Sequence, residues 1–385
     1  MSPLAFLLSL LVPQAPDPGP APAARADWAS YRGDPALNGV APGTLALPLV
    51  ERWSFQAGKG IVPSPVVAGG RLFVGCDDHQ LYALDATSGA LLWKHATKDI
   101  IEAPALVVGE RVFVGVTDGN LLALDAASGE PRWQFQTGDK ILGGANLLEL
   151  DGEAHLVVGS YDANVYCLRA ADGELRWKFE TANYVNGTPA VAGEKIVFGG
   201  CDAILHVLDG RTGKELQALE LGNDSQVAGS VALRDGLAYF GHYGNAFVCV
   251  DLEENRAVWS FPDPKQAFFS SPSVAGARVL FGGRNKQLHC VDAASGALQW
   301  KYATRRKLDS SPVVVGDQVV LGTADGKLAV LALADGAERW TADLGAELAG
   351  SVAVAGGWIY TADLDGRVRG FGPAPAAKAI EGSGQ

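Results

Sequence analysis

The sequence predicts an all-β fold of eight four-stranded antiparallel sheets set radially about one axis, an eight-bladed β-propeller. Three observations carry this: a phrase that recurs about every 40 residues, four short apolar runs inside each period, and a tryptophan that closes nearly every copy. The phrase reads LYALDATSGALLW at Leu81–Trp93, LLALDAASGEPRW at Leu121–Trp133 and LHCVDAASGALQW at Leu288–Trp300. Self-similarity at such a period marks a repeat architecture, and the content of one period decides which.

Within SPVVAGGRLFVGCDDHQLYALDATSGALLWKH the runs PVVA, LFVG, LYALDA and LLWKH are separated by GGR, CDDHQ and TSG. Runs of four to six residues rich in Val, Leu and aromatics, bounded by Gly, Asp and Ser, read as strands of an antiparallel meander. Most runs are apolar at nearly every position, so both faces of each sheet need a cover, as when sheets stack on one another. Radial stacking of four-stranded sheets provides that cover.

The turn before each closing tryptophan has its own chemistry. Asp and Ser side chains can bond the turn backbone, and Gly supplies the left-handed conformation. Gly89, Gly129, Gly173, Gly213, Gly296 and Gly336 hold that slot; in the remaining copy it is Asn255, the type that best tolerates positive φ. The closing residues Trp53, Trp93, Trp133, Trp177, Trp259, Trp300 and Trp340 align, with Gln217 in the vacant place.

Inner strands begin near Pro65, Pro104, Ala145, Pro189, Ser230, Pro272, Pro312 and Ser351, which makes eight blades. The last copy stops after three strands, and VERWSF around Trp53 supplies the missing outer strand from the other end. Closing the ring this way removes an exposed sheet edge. The expected organisation is a signal peptide over residues 1–26, a lead-in over 27–49, the propeller over 50–372 and a disordered tail over 373–385. The leader reading rests on the apolar run PLAFLLSLLV and a small-x-small site at Ala24–Ala26, although no Lys or Arg precedes the run. No cysteine lies near that site, so a lipid-anchored N-terminus is not expected.

A formal net charge of −12 argues against a general nucleic-acid binder. The five cysteines, at 76, 167, 201, 249 and 290, include no close pair. Three of them share one repeat position with Ala83 and Ala123, which indicates a small apolar core position and not a metal or disulfide.

The motif L-x-A-L-D-A-x-[ST]-G-x-x-x-W resembles the PQQ-like repeat of the quinoprotein alcohol dehydrogenase-like superfamily, over nearly the whole chain beyond the leader. The resemblance implies an eight-bladed propeller whose tryptophans dock between adjacent blades. Size and the lack of inserted catalytic loops are most similar to the BamB-like branch of outer-membrane barrel assembly factors. The enzymes of the superfamily hold pyrroloquinoline quinone and calcium, commonly against a disulfide of adjacent cysteines. This chain has no adjacent cysteines, no C-x-x-C-H haem site and no room for insertions in its 40-residue steps.

Other constellations read as structural. His206 and His289 stand where Tyr82 and Tyr166 do, DLDG at Asp363–Gly366 reads as a hairpin turn, and RGD at Arg32–Asp34 reads as chance. No catalytic residue and no metal ligand is assigned. One face stands out, where loops between second and third strands meet the links between blades. It gathers Tyr161, Tyr184, His242, Tyr243, Phe268, Phe269, Arg284, Lys286, Arg305, Arg306 and Lys307. Aromatic and Arg side chains on loops are the types enriched in interface hot spots, and a basic cluster can steer an acidic partner. Asp99, Glu102, Asp309 and Glu347 on the same face would dilute that field.

The expectation is therefore a non-enzymatic, exported, monomeric scaffold without cofactor. It would engage a protein partner of the cell envelope and neither nucleic acid nor the membrane directly. The alternative is a channel that binds PQQ with calcium, or a sugar, which would make the chain a receptor or a PQQ-dependent dehydrogenase-like enzyme.

Overall fold

The computed structural model describes residues 27–222 and 225–374. The expected leader and all but the first two residues of the expected tail lie outside them. The described chain is all β. Eight sheets follow one another: blade 1 at Val66–Ala96, blade 2 at Leu106–Gln136, blade 3 at Asn146–Glu180 and blade 4 at Ala190–Glu220. Blade 5 spans Ala232–Pro262, blade 6 Ser273–Ala303, blade 7 Val313–Asp343, and blade 8 Ala353–Pro373 together with Leu49–Gln56. Strand Leu49–Gln56 pairs antiparallel with Arg367–Pro373, so the N-terminal strand closes the ring. That pairing carries the last strand one residue past the expected boundary, and Arg52 Nη1 donates to the Pro373 carbonyl at 2.9 Å.

The apolar runs are explained by what covers them. Second and third strands such as Arg71–Cys76 and Gln80–Asp85 are buried on both faces, because neighbouring blades lie on each side. Outer strands such as Leu91–Ala96 alternate exposed and half-buried residues. Each outer strand carries a register shift just before the closing residue, in all eight blades. Such a bulge bends the strand and re-aims a side chain.

The tryptophans use that aim. Trp53, Trp93, Trp133, Trp177, Trp259 and Trp300 each donate the indole N–H to a backbone carbonyl of the next blade, at 2.8–3.2 Å. Their rings cover the turn glycines of that blade, where an added Cβ would lie 2.4–2.7 Å from a ring atom. Glycine is therefore required at this turn by contact as well as by φ. Asn255, at φ 51°, faces the one outer strand that has Gln217 in place of Trp, and its Nδ2 donates to the Ala218 carbonyl at 3.3 Å. Removal of the ring has opened the room that the asparagine uses.

Across the sheet from the tryptophans stand Ala83, Ala123, Cys167, Cys249 and Cys290. All five cysteines are free thiols, and burial pushes Cys167, Cys249 and Cys290 up to about 12. They are core atoms and chemically quiet.

The lead-in is more than a tether. It lies across the central channel and bonds the exposed edges of the innermost strands. Trp28 exchanges two backbone bonds with Val67; Ala29, Pro35, Ala36, Asn38 and Gly39 accept from Val107, Val191, Leu233, Val274 and Val314. Asn146 Nδ2 of blade 3 reaches the Pro35 carbonyl at 2.7 Å. Seven blades are thus tied by one short segment, which satisfies backbone groups that would otherwise face the channel unpaired. Trp28 and Leu37 are buried in it. Arg32 of the RGD triplet is buried too, donating through Nη2 to Pro272 O and Ser273 Oγ, both at 2.8 Å. Burial lowers its pKa to about 10, so it remains charged at neutral pH.

Candidate functional site

The links that enter each blade and the loops between second and third strands share one face, and backbone bonds join them. Tyr161 N donates to Lys140 O, Cys201 N to Tyr184 O, and Tyr243 N to Gln226 O, each at 2.9 Å. The loops are therefore held by the ring rather than hanging from it.

At the centre of this face the channel opens as a funnel of about 190 Å³. Its wall carries a belt of hydroxyls passing from blade to blade. Ser64 Oγ accepts from Ser351 N, Ser351 from Ser311 N, Ser311 from Ser271 N, Ser271 from Ser230 N, Ser230 from Thr188 N, and Thr188 from Gly144 N, at 2.8–3.1 Å. The floor is Tyr31 of the lead-in, whose hydroxyl lies 3.0 Å from Ser271 Oγ. Glu102, Asp309 and Asn186 also line the funnel, and the Asn186 amide oxygen is buried without a partner. Burial, with Asp77 next, pushes the Glu102 carboxyl above its ordinary range.

Around the funnel runs a ridge of aromatic rings and cations from blades 3 to 6. Tyr161 and Tyr184 stack with centroids 4.8 Å apart and planes 5° apart, and Lys140 sits 4.7 Å above Tyr161. Tyr243 and Phe269 meet at 4.3 Å, and the Arg284 guanidinium lies 4.0 Å from the Phe269 centroid. Arg284 makes two 3.1 Å bonds to Asp309, which Lys307 also approaches at 2.9 Å. Tyr184 and Tyr243 remain 47% and 49% exposed.

Not every residue gathered from the sequence belongs to this surface. Phe268 is fully buried, its ring among Phe247, Phe261, Phe281 and His289, so it is core and not a contact residue. Consecutive residues of a link point opposite ways, and only Phe269 turns outward. His242 is also buried; its Nδ1 accepts from Gly244 N at 3.0 Å, and burial lowers its pKa. It shapes the loop from within. Lys286, Arg305, Arg306 and Lys307 are exposed. The acids at 102 and 309 are on the face as expected, and Asp309 neutralises part of the basic cluster.

The histidines set aside from the sequence are held within blades. His206 bonds Asp202 at 2.9 Å and Glu215 at 2.6 Å; His289 bonds Asn285 at 3.0 Å. Asp363 of DLDG is fully buried against Arg369 at 2.5 Å. Sequence reasoning missed the hydroxyl belt, the Tyr31 floor and the funnel-lining Asn186. The first could have been found, because Ser64, Ser230, Ser271, Ser311 and Ser351 recur in one register.

The funnel is open at the loop face, and Tyr31 and the lead-in stop it from below. Among the described residues no group of three or more His, Cys, Asp or Glu side chains is placed to hold a metal ion, and no helix is long and apolar enough to cross a membrane.

The family described as outer membrane protein assembly factor BamB matches residues 50–150, 143–241 and 202–368. A search of curated proteins finds no match. Among solved structures, BamB from Moraxella catarrhalis is 19% identical with a TM-score of 0.69, covering 86% of this chain and 99% of its own. A europium-containing methanol dehydrogenase is 13% identical with a TM-score of 0.75, covering 90% and 98%. A quinohemoprotein alcohol dehydrogenase from Pseudomonas putida HK5 is 14% identical with a TM-score of 0.77, covering 94% and 82%. At such identities the likeness shows the fold alone.

Proposed function

The chain belongs to the family described as outer membrane protein assembly factor BamB, and from that premise we propose that it is an exported, non-enzymatic propeller that holds a protein partner of the cell envelope on its loop face. The observation that carries this reading is the ridge Tyr161–Tyr184–Tyr243–Phe269–Arg284. Its rings are prestacked and two are half exposed, on loops fixed by backbone bonds to a closed ring. Rigid aromatic anchors lose little conformational entropy on binding, and Tyr and Arg are the types that dominate interface energetics. The exposed Arg305, Arg306 and Lys307 add local positive charge to a chain of net charge −12, which favours an acidic partner approaching this edge.

The test is affinity capture from cell envelopes with the chain from Asp27. Tyr184→Ala, Tyr243→Ala and Phe269→Ala are combined with charge reversal at Arg305, Arg306 and Lys307. Phe268 is left intact, because its loss would unsettle the core. Capture of an outer-membrane assembly protein by the wild type and not by a folded variant supports the reading. Equal capture by both refutes it.

A further inference from the structure

The repeats point to a second site through a feature that half of them share and blade 7 keeps only in part. In four blades an aromatic or imidazole ring on the third strand stands four residues after a turn carboxylate or amide and bonds it. Tyr82 bonds Asp78 and Tyr166 bonds Asp162 through their hydroxyls, at 2.5 and 2.6 Å; His206 bonds Asp202 at 2.9 Å, and His289 meets Asn285 at 3.0 Å. Each ring also packs against a phenylalanine of the preceding blade's outer strand. The pairs Phe55–Tyr82, Phe135–Tyr166, Phe179–His206 and Phe261–His289 have centroids 5.2–5.5 Å apart. Blade 2 has Leu122 in the ring position, and there Asn120 Nδ2 bonds Asp118 at 2.8 Å instead. Blade 5 has Val248, and Gly244 in place of the turn carboxylate.

Blade 7 keeps the carboxylate, Asp325, and the facing ring of blade 6, Tyr302, but has Ala329 where the bonding ring should be. Lys327 does not take over, since its ammonium is spent on Tyr302 Oη at 2.8 Å and Glu338 at 2.6 Å. Between Tyr302 and Asp325 lies a pocket of about 250 Å³, walled also by Thr323, Lys327 and Thr341 with exposed Arg305 beside it, while Ala329 itself is fully buried. Inside it Asp325 Oδ1 is buried and has no hydrogen-bond partner, while Oδ2 lies 3.9 Å from Arg305 Nε. A buried carboxylate oxygen without a donor is costly, and an arriving donor would remove that cost.

We infer that this pocket between blades 6 and 7 binds a planar ring bearing an O–H or N–H donor, a phenol or an imidazole, from a tyrosine or histidine side chain or a free small aromatic. The ring takes the place of the absent third-strand ring: its donor bonds Asp325 Oδ1 and its edge packs on Tyr302. The inference goes beyond the loop-face reading and does not depend on it.

The probes are p-cresol, 4-methylimidazole and N-acetyltyrosinamide, with toluene as the donor-free control, titrated into the full chain by calorimetry and by thermal melts. The expected result is saturable binding of the donor-bearing rings, weakened about tenfold or more by Asp325→Ala. Ala329→Tyr, which rebuilds the ring found in blades 1 and 3, should abolish probe binding. A cooperative melt of that variant guards against a loss caused by misfolding. Tighter binding of N-acetyltyrosinamide than of p-cresol assigns the pocket to a polypeptide side chain; the reverse order assigns it to free small aromatics. Toluene binding as tightly as p-cresol, or p-cresol binding unchanged in Ala329→Tyr, overturns the inference, as does no binding at millimolar probe.

Discussion

Replacing Gly129 by asparagine should destabilise the ring, although asparagine serves in the same turn of blade 5. The backbone is not the obstacle: Gly129 sits at φ 74° and Asn255 at 51°, and asparagine tolerates this region. The obstacle is Trp93, whose Cε3 and Cδ2 would lie 2.6 and 2.7 Å from the new Cβ. The indole is wedged against Phe73 at 5.8 Å and bonded to Ala126 O at 3.2 Å, so it cannot yield freely. Overpacking of this kind costs about 1–3 kcal/mol, and loss of the indole bond adds about 1 kcal/mol. The expected total is about 2–4 kcal/mol. Adding Trp93→Gln copies the natural Gln217–Asn255 pair and should relieve the clash. The assay is denaturant unfolding of the wild type, both single variants and the double. A coupling of at least about 1 kcal/mol in favour of the double variant is expected. If Gly129→Asn costs less than about 0.5 kcal/mol, or if the two changes simply add, the contact explanation of the glycine is wrong.

Two further outcomes follow from the interior. Burial pushes the His289 imidazole down to about 4, against 6.5 for the free side chain. Between those values the unfolded chain takes up a proton that the folded chain refuses, so stability falls as pH drops from about 6.5 toward 4, by up to about 3 kcal/mol. His289→Tyr, copying blades 1 and 3, should flatten that fall in unfolding curves measured at each pH. His206 has the opposite sign. Burial lowers its pKa, but Asp202 and Glu215 outweigh burial and raise it, so its contribution is present below about 6.5 and is lost as pH rises through the folded value. In the lead-in, Leu37→Ala removes a fully buried side chain that bridges blades 4 and 5 and should cost about 2–5 kcal/mol by the same unfolding assay. A cost near zero would mean that the segment does not hold the channel.

How much was legible in the sequence depended on whether a feature repeats. The tryptophans, turn glycines and closing strand recur with fixed spacing, so one copy explains the others and the blade count follows. The lead-in does not repeat. Its meaning lies in bonds from Trp28 to Gly39 that reach six blades up to 275 residues away, through backbone atoms that leave no mark on composition. Phe268 and Phe269 were indistinguishable in an irregular link, where no period says which ring faces inward. Ala329 was visible as a break in the pattern, but its consequence needed Tyr302 and Asp325 placed around it. Residue type alone gathered the ridge residues; that Tyr161 stacks on Tyr184 and Arg284 on Phe269 is visible only in the folded chain.

The central claim is that the loop face meets the partner, and site-specific photocross-linking tests it most directly. A photoreactive residue is placed at Tyr184 or Tyr243 on the ridge, or at Ser128 in a turn on the opposite face, and the chain is irradiated in cell envelopes. Adducts to one outer-membrane assembly protein from positions 184 and 243, and none from position 128, are the result the account predicts. Adducts from position 128 with none from the ridge would contradict it.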